Sequence, residues 1–238
     1  MKRIGIYDSG IGGLSTLAKL IIKFPYCDYL YYSDNAHFPL GSMQNEELTS
    51  VVSNAIAYLE QSCEYVVLAC NTASSHIADK SVFKLLPPLG EFTPQNTVVL
   101  ATPNTLKKLK VKENGFQTID TTDLASLITT LFEESEDRQL ETTAQIKEML
   151  RSQLDSKKYE NIVLGCSHYF LIENLIKEIS NKTQVYDGNE RLILELEKVV
   201  EQNSHIGDID FVFSGECQIE LYVSILEKLL TSYRKMQD

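Results

Sequence analysis

Short apolar runs, each followed by small polar residues, recur along the chain and set the pattern of its predicted strands. The clearest run is VVLACNTAS at residues 66–74, where four apolar residues lead into Cys70. The run IVLGCSH at residues 162–168 repeats the arrangement around Cys166. Uninterrupted apolar runs of this length are typical of parallel strands that are covered on both faces. Two similar strands that end in cysteine therefore predict one site with two thiols.

Segments with helical periodicity alternate with the apolar runs. In residues 14–23, apolar side chains recur every three or four positions and so share one helix face. Strands are predicted at residues 3–7, 29–33, 65–69, 97–101, 116–119, 162–165, 183–186 and 210–213. Helices are predicted after Cys70 and at residues 14–23, 45–60, 124–131, 144–154, 170–179, 190–201 and 218–235, with a charged, solvated connection at 133–138. This alternation predicts an α/β fold with mostly parallel sheets and helices on both faces.

The pattern of the first part of the chain returns in the second. Asp8 and Cys70 are 62 positions apart, and Thr102 and Cys166 are 64 apart, with the same order of strands and helices between them. We therefore predict two similar α/β domains related by pseudo-two-fold symmetry, the first of residues 1–95 plus 206–238 and the second of 96–205. Ligands of open α/β sheets bind beyond the carboxyl ends of the strands. The polar clusters all follow predicted strands, so the active site is expected in the cleft between the domains.

Composition narrows the class of protein. The 238 residues are 43% hydrophobic, which is enough for a core, and no apolar stretch approaches the roughly 20 residues of a membrane span. A net charge of −11 argues against a nucleic-acid surface, which needs clustered cations. The five cysteines form no CxxC pair, and unpaired thiols fit a reducing cytoplasm. We expect Cys27, Cys63 and Cys217 to be buried small hydrophobic residues, and we expect no metal and no secretory signal.

Two facing thiols suit proton transfer at one carbon from both of its faces. A thiolate on one side removes a proton and a thiol on the other returns one, which inverts a stereocentre. The sulfurs should then lie roughly 6–8 Å apart around a bound substrate, twice a near-attack distance. His168, two residues after Cys166, is predicted to return to the same side of an extended chain and tune that thiol. Asp8 is predicted to assist Cys70, while Ser9, Asn71, Thr72 and Ser167 offer donors for a carboxylate.

Four motifs resemble the signatures of the glutamate racemases: DSGIGGLS from Asp8, DNAHFPLG at residues 34–41, ACNTAS around Cys70 and GCSHY around Cys166. The resemblance covers nearly the whole chain in the same order. It implies a cofactor-independent, two-cysteine racemase that makes D-glutamate for peptidoglycan, with Cys70 acting on D-glutamate and Cys166 on L-glutamate. Asp8 and His168 would assist. The resemblance implies a substrate pocket lined by Ser9, Pro39, Leu40, Gly41, Asn71, Thr72, Ser167 and Thr102 or Thr105, and a homodimer is a further possibility.

The chain departs from the family pattern at several positions. Leu40 stands where tyrosine is common, Ser167 where threonine is usual, and Phe170 where proline usually follows. Residues 116–150 lack the family's proline- and valine-rich acidic segment. These differences leave two alternatives open: a related racemase or isomerase for aspartate or another small carboxylate, and a non-catalytic binding protein. A nucleotide loop at residues 10–15 is excluded, because Ser15 breaks the GxGxxG pattern.

Overall fold

Two separate sheets, each entirely parallel, organise the chain. The computed structural model describes residues 2–154, 159–180, 183–216 and 218–235. The first sheet has the order β4-β3-β1-β2-β9 and the second the order β6-β5-β7-β8. The first comprises β1 (Arg3–Asp8), β2 (Asp28–Ser33), β3 (Tyr65–Leu68), β4 (Phe83–Lys84) and β9 (Ile209–Phe213); the second comprises β5 (Thr97–Ala101), β6 (Gln117–Thr118), β7 (Asn161–Gly165) and β8 (Gln184–Tyr186). The predicted α/β class with two sheets is confirmed, and the domain bounds stay a prediction.

The two sheets repeat one strand order. Read from one edge, β4-β3-β1-β2 matches β8-β7-β5-β6, so that β3 corresponds to β7 and β1 to β5. Both cysteine-bearing strands therefore lie inside their sheets rather than at an edge. Val67 and Leu68 of β3 and Val163 and Leu164 of β7 are fully buried, as continuous apolar runs of parallel strands require.

Ten helices cover the sheets in the part of the chain that the structure describes. They are α1 (Leu14–Lys23), α2 (Asn45–Leu59), α3 (Asn71–His76), α4 (Pro103–Lys108), α5 (Leu124–Glu133), α6 (Glu136–Arg151), α7 (Ser167–Phe170), α8 (Glu173–Ile179), α9 (Asn189–Leu196) and α10 (Ile219–Lys235). Helix α1 has the predicted bounds, because Leu14, Leu17 and Leu20 form one buried stripe. Within the described ranges, no helix has the length and apolar character that crossing a membrane demands.

Two predicted segments are wrong. Residues 133–138 are not a connection, because α6 begins at Glu136 and its acidic first turn favours the helix N-terminus. The helix predicted at 170–179 is two helices, α7 and α8, separated by a turn at Leu171 and Ile172. Cys217 lies outside the described residues.

The hydrophobic core differs on the two sides of the sheets. One large cluster contains residues of both sheets, with Ile4 and Ile6 from the first and Leu100 and Leu164 from the second. On the other side, each sheet has its own cluster. Tyr7 and Leu40 belong to the first of these, and Val99 and Val111 to the second. Among the described residues, the buried apolar cluster that the two units share lies on one side of the sheets.

Candidate active site

The two cysteines occupy equivalent positions in the two sheets. Cys70 follows β3 and precedes α3, and Cys166 follows β7 and precedes α7. Both side chains are buried, with 5% and 6% of their surface exposed. The start of a helix presents free backbone N–H groups, which favour a thiolate over a thiol.

Both cysteines line a single small pocket between the two sheets. Its volume is about 20 Å³, and one water molecule needs about 10–15 Å³ on this measure. The pocket is therefore closed to anything as large as an amino acid. Its walls are formed by Ser9, Phe38, Pro39, Leu40, Gly41, Cys70, Asn71, Thr72, Thr102, Ala125, Cys166, Ser167 and His168. Apart from Asp8, and from Thr105 as the alternative to Thr102, every site residue predicted from the sequence lies in this wall. The wall contains no lysine or arginine among the described residues.

The electrostatics of the pocket keep both thiols protonated at neutral pH. Burial raises the pKa of Cys70 to about 11, and the Asp8 carboxyl adds to the rise. The Ala73 N–H and the Ser9 hydroxyl, whose oxygen lies 3.7 Å from the sulfur, oppose it. Burial raises the pKa of Cys166 far above a thiol's usual range, and negative charge on Cys70 contributes next. The two sulfurs are thus close enough for the charge on one to affect the other.

Asp8 lies behind the pocket wall. It is fully buried at the end of β1, and its Oδ1 accepts the Gly10 backbone N–H at 2.9 Å. Burial raises its pKa to about 7, while the Ser167 hydroxyl and the backbone N–H groups of Gly10 and Gly13 oppose the rise. Its Oδ2 has no well-formed hydrogen bond within the described chain. Asp8 therefore adjoins Ser167 of the Cys166 half as well as influencing Cys70.

His168 reaches the pocket by a different route from the predicted one. It lies within α7, not in extended chain, and residues two apart on a helix do not share a face. Burial lowers its pKa to about 3, so the imidazole is neutral. Its ring packs on Phe38 with centroids 4.9 Å apart, and its Nε2 has no hydrogen-bond partner among the described residues.

Three threonine hydroxyls form a ring across the boundary between the units. Thr72 Oγ1 lies 2.9 Å from Thr102 Oγ1 and 3.2 Å from Thr105 Oγ1, and the latter two are 3.0 Å apart. Asn71 Nδ2 donates to the Leu85 carbonyl at 2.9 Å, and its buried Oδ1 lacks a partner in the described structure. Hydroxyls that bond one another can turn to a carboxylate, and the Asn71 oxygen can accept from an ammonium group.

Two glycines permit the close approach of the two units. A Cβ on Gly12 would lie 2.6 Å from the His168 backbone nitrogen and 2.6 Å from Ser167 Oγ. A Cβ on Gly41 would lie 2.7 Å from the Thr102 Cβ. A larger residue at either position would push the units apart at the pocket.

A wider groove adjoins the closed pocket. Its volume is about 570 Å³, and it shares Ser9 and Phe38 with the pocket. Glu133 of α5 and Glu216, which precedes α10, lie on its walls. Phe38 therefore stands between the groove and the pocket.

Sequence reasoning missed two residues of the wall, Phe38 and Ala125. Phe38 precedes the predicted Pro39 in the motif DNAHFPLG, so that motif was a signal that could have identified it. Ala125 comes from α5, in a segment without a recognisable motif, and only the packing of α5 brings it to the pocket. Thr105, the second threonine considered, does not line the wall but supports Thr72 and Thr102.

Comparison with known proteins finds relatives over nearly the whole chain. No protein-family model matches it. Glutamate racemase of Clostridium botulinum is 30% identical over 95% of this chain and 97% of the relative, and that of Clostridium perfringens is 32% identical over 90% and 91%. The Escherichia coli glutamate racemase, solved with L-glutamate and the activator UDP-MurNAc-Ala, has a similar fold, with a TM-score of 0.78 at 22% identity, covering 96% of this chain and 95% of that one.

The similarity places the chain among the isomerases that racemise amino acids. Within that class, it belongs to the glutamate racemase family.

Proposed function

We propose that this enzyme interconverts L- and D-glutamate by moving the α-proton between Cys70 and Cys166, without a cofactor. The observation that carries the proposal is that both cysteines line one small pocket from corresponding strands of two sheets. A substrate held between them would present one face of its α-carbon to each sulfur. One sulfur removes the proton as a thiolate, and the other returns a proton from its thiol.

The protonation states suggest how the thiolate arises. Cys70 has the lower thiol pKa of the pair, so it loses its proton more easily. Asp8 is half-ionised near neutral pH, and its charge opposes a thiolate on Cys70. A substrate ammonium group would offset that negative charge. We therefore assign Asp8 a positioning and charge-tuning role, since it does not line the pocket.

The wall chemistry suits an amino acid. Hydroxyls of Ser9, Thr72, Thr102 and Ser167 can donate to carboxylates, and the unpartnered Asn71 Oδ1 and His168 Nε2 can accept from an ammonium group. A carboxylic acid without an amine would leave these acceptors unpaired and buried, which is unfavourable. This argument supports an amino acid over another small carboxylate.

The assay offers D- and L-glutamate and D- and L-aspartate to pure protein without pyridoxal phosphate, followed by circular dichroism. Glutamate should racemise, and in deuterated water deuterium should enter its α-carbon. Full retention of protium at that carbon would contradict two-base exchange. In a crystal with bound glutamate, the sulfurs should lie roughly 6–8 Å apart.

Aspartate is the second candidate substrate. Leu40 is buried in the pocket wall where the family commonly has tyrosine, so the wall there offers an apolar side chain in place of a hydroxyl. Faster turnover of aspartate than of glutamate would favour this reading. A protein that binds either acid without turnover would be the non-catalytic relative.

We further propose that the D-glutamate supplies peptidoglycan synthesis in the cytoplasm. The support is the family membership and the four described cysteines, which are all free thiols. Depletion of the enzyme in its host should then be rescued by external D-glutamate, and failure of that rescue would contradict this role.

A further inference from the structure

One loop forms part of the pocket wall and, through Phe38, part of the boundary between the pocket and the wider groove. Residues 38–43 contain the short 3₁₀ turn Leu40–Ser42, and Phe38 to Gly41 all line the pocket. Phe38 also lines the groove. Because a pocket of about 20 Å³ cannot admit an amino acid and the groove holds about 570 Å³, substrate requires this wall to move. This step rests on the function proposed above.

Asn104, from α4 of the second unit, fixes the loop to that unit. Its Nδ2 donates to the Leu40 carbonyl at 3.0 Å and to the Met43 carbonyl at 2.8 Å. These bonds bracket the turn that carries Gly41, whose backbone lies against Thr102 of the same unit. Asn104 itself does not line the pocket.

The chemistry of the two partners fixes the orientation of the amide. Both are carbonyl oxygens, which only accept, so the NH₂ group must face them. An amide nitrogen has two hydrogens, one for each carbonyl. Aspartate at this position would have the same shape and would place negative oxygens against two carbonyls.

The contacts on this side of the site are suited to opening. Here the two units have separate apolar clusters. The loop meets the second unit through Asn104 and through the contact of Gly41 with Thr102, and Thr72 of α3 meets it through the threonine ring. On the opposite side the units share one apolar cluster, and Lys19 of α1 pairs with Asp187 at 2.7 Å. Water can replace hydrogen bonds at a small net cost, whereas separating an apolar seam exposes its whole area.

We propose that Asn104 is a positioning residue that holds the loop of residues 38–43 closed over the pocket. Release of its two hydrogen bonds lets the loop move and connects the pocket with the groove. The loop then admits substrate, and re-forming the bonds restores the wall that Leu40 and Gly41 present to it.

The accessibility of the two site thiols tests this without reference to turnover. Native protein is treated with iodoacetamide, and alkylation of each cysteine is followed by mass spectrometry. Asn104→Ala should raise the alkylation rate of Cys70 and Cys166 about 10-fold, the factor for roughly one net hydrogen bond. Asn104→Asp should raise it further.

The controls lie in the same molecule. The buried Cys27 and Cys63, outside the pocket, should react at the wild-type rate. Asn114→Ala removes an exposed amide of the same unit that donates to the Leu109 carbonyl at 3.3 Å, and it should change no rate. Unchanged Cys70 and Cys166 rates in both Asn104 variants would overturn the proposal. So would an equal rise at all four cysteines, since that reports general loosening.

Kinetics supply the second measurement. In Asn104→Ala, KM for glutamate should rise about 10-fold while kcat changes by less than about 3-fold, because the lost contact organises binding rather than proton transfer. A fall in kcat at unchanged KM would contradict the assignment. If alkylation responds as expected but wild-type protein turns over neither glutamate nor aspartate, the racemase proposal fails and the role of Asn104 in closure stands.

Discussion

The halves of the site that carry Cys70 and Cys166 share a scaffold but differ in the side chains beside each sulfur. Each cysteine ends an interior parallel strand and precedes a short helix. Beside Cys70 is the Ser9 hydroxyl, and beside Cys166 the α7 helix brings the neutral His168 into the wall. The pKa of both thiols is raised, that of Cys166 more. Symmetry of fold therefore does not make the two proton-transfer groups equal.

The difference teaches how one scaffold can serve two directions of a reaction. Burial is the largest cause of the raised pKa of both thiols. The groups beside each sulfur differ, and they adjust the pKa of each thiol separately. If the mechanism proposed above is right, removing a neighbour should affect the reaction far less than removing a sulfur.

Loss of either sulfur should have the largest effect. Cys70→Ala and Cys166→Ala should each lower racemisation by more than the roughly 10²–10⁴-fold of an auxiliary acid or base, because each direction needs both groups. Circular dichroism at saturating D- and L-glutamate measures this. Cys63→Ala, outside the pocket, should stay near wild type. If Cys166→Ala keeps more than a tenth of the rate, the assignment is wrong.

Asp8→Asn should have the next largest effect, about a 10²-fold loss of kcat/KM. The ionised Asp8 carboxylate attracts the substrate ammonium group, and this attraction outweighs its opposition to the Cys70 thiolate. Because burial raises the pKa of Asp8 to about 7, kcat/KM of the wild type should rise with pH through about 7 as the carboxyl ionises. The asparagine variant should lose that limb. An unchanged pH profile in the variant would assign the limb to another group.

His168→Asn should have a smaller effect, about 10-fold in kcat/KM, and no change in the shape of the pH profile above pH 6. The imidazole already stays neutral there, because burial lowers its pKa to about 3. Profiles of the variant and wild type between pH 6 and 9 check this. If kcat/KM of the wild type showed an inflection near pH 6 and the variant did not, His168 would titrate there, which would contradict the lowered pKa.

The smallest effects should appear in stability. The pKa of Asp8 is higher in the folded protein, so the carboxyl destabilises the fold as pH rises from its unfolded-state pKa through about 7. The difference in Tm between Asp8→Asn and wild type should therefore be more positive at pH 8 than at pH 4. The pKa of His168 is lower in the folded protein, so the imidazole destabilises the fold as pH falls below 6.5. The difference in Tm between His168→Asn and wild type should therefore be more positive at pH 4 than at pH 8. We expect shifts of roughly 5 °C in opposite directions. Parallel shifts would contradict the two pKa directions.

The sequence predicted the parts of the fold with strong local signals. The apolar runs of β3 and β7 and the stripe of α1 are clear because burial repeats at the period of the element. The two-residue β4 was missed, since it is too short to show a period. Helix α4 was also missed, although Thr102 before Pro103 is a helix-start signal and its hydroxyl accepts the Thr105 N–H. In α6 only Thr142, Ile146 and Leu150 are buried, so charged residues obscured its period.

The site was predictable where motifs carry it and hidden where packing creates it. Four motifs supplied nearly the whole pocket wall, because strand ends bring them together. No local signal shows that Asn104 reaches the loop of residues 38–43, since that contact depends on how two units meet. Asp8 and Ser9 are neighbours in one motif, but only Ser9 lines the pocket. The motif alone does not predict that Asp8 is buried outside the pocket wall. The roles of these residues stay predictions until the variants are measured.

The pairing of β9 with β2 has a consequence for synthesis on the ribosome. Strand β2 pairs with β1 on one edge, but on its other edge Tyr29 to Ser33 pair with Ile209 to Phe213, which are made about 180 residues later. At about 5–20 residues per second, the nascent protein waits on the order of ten seconds or more with β2 as an unprotected edge. All strands of the second sheet emerge in that interval, so it can form before the first is complete. Emergence of β9, rather than of the first four strands, completes the first sheet.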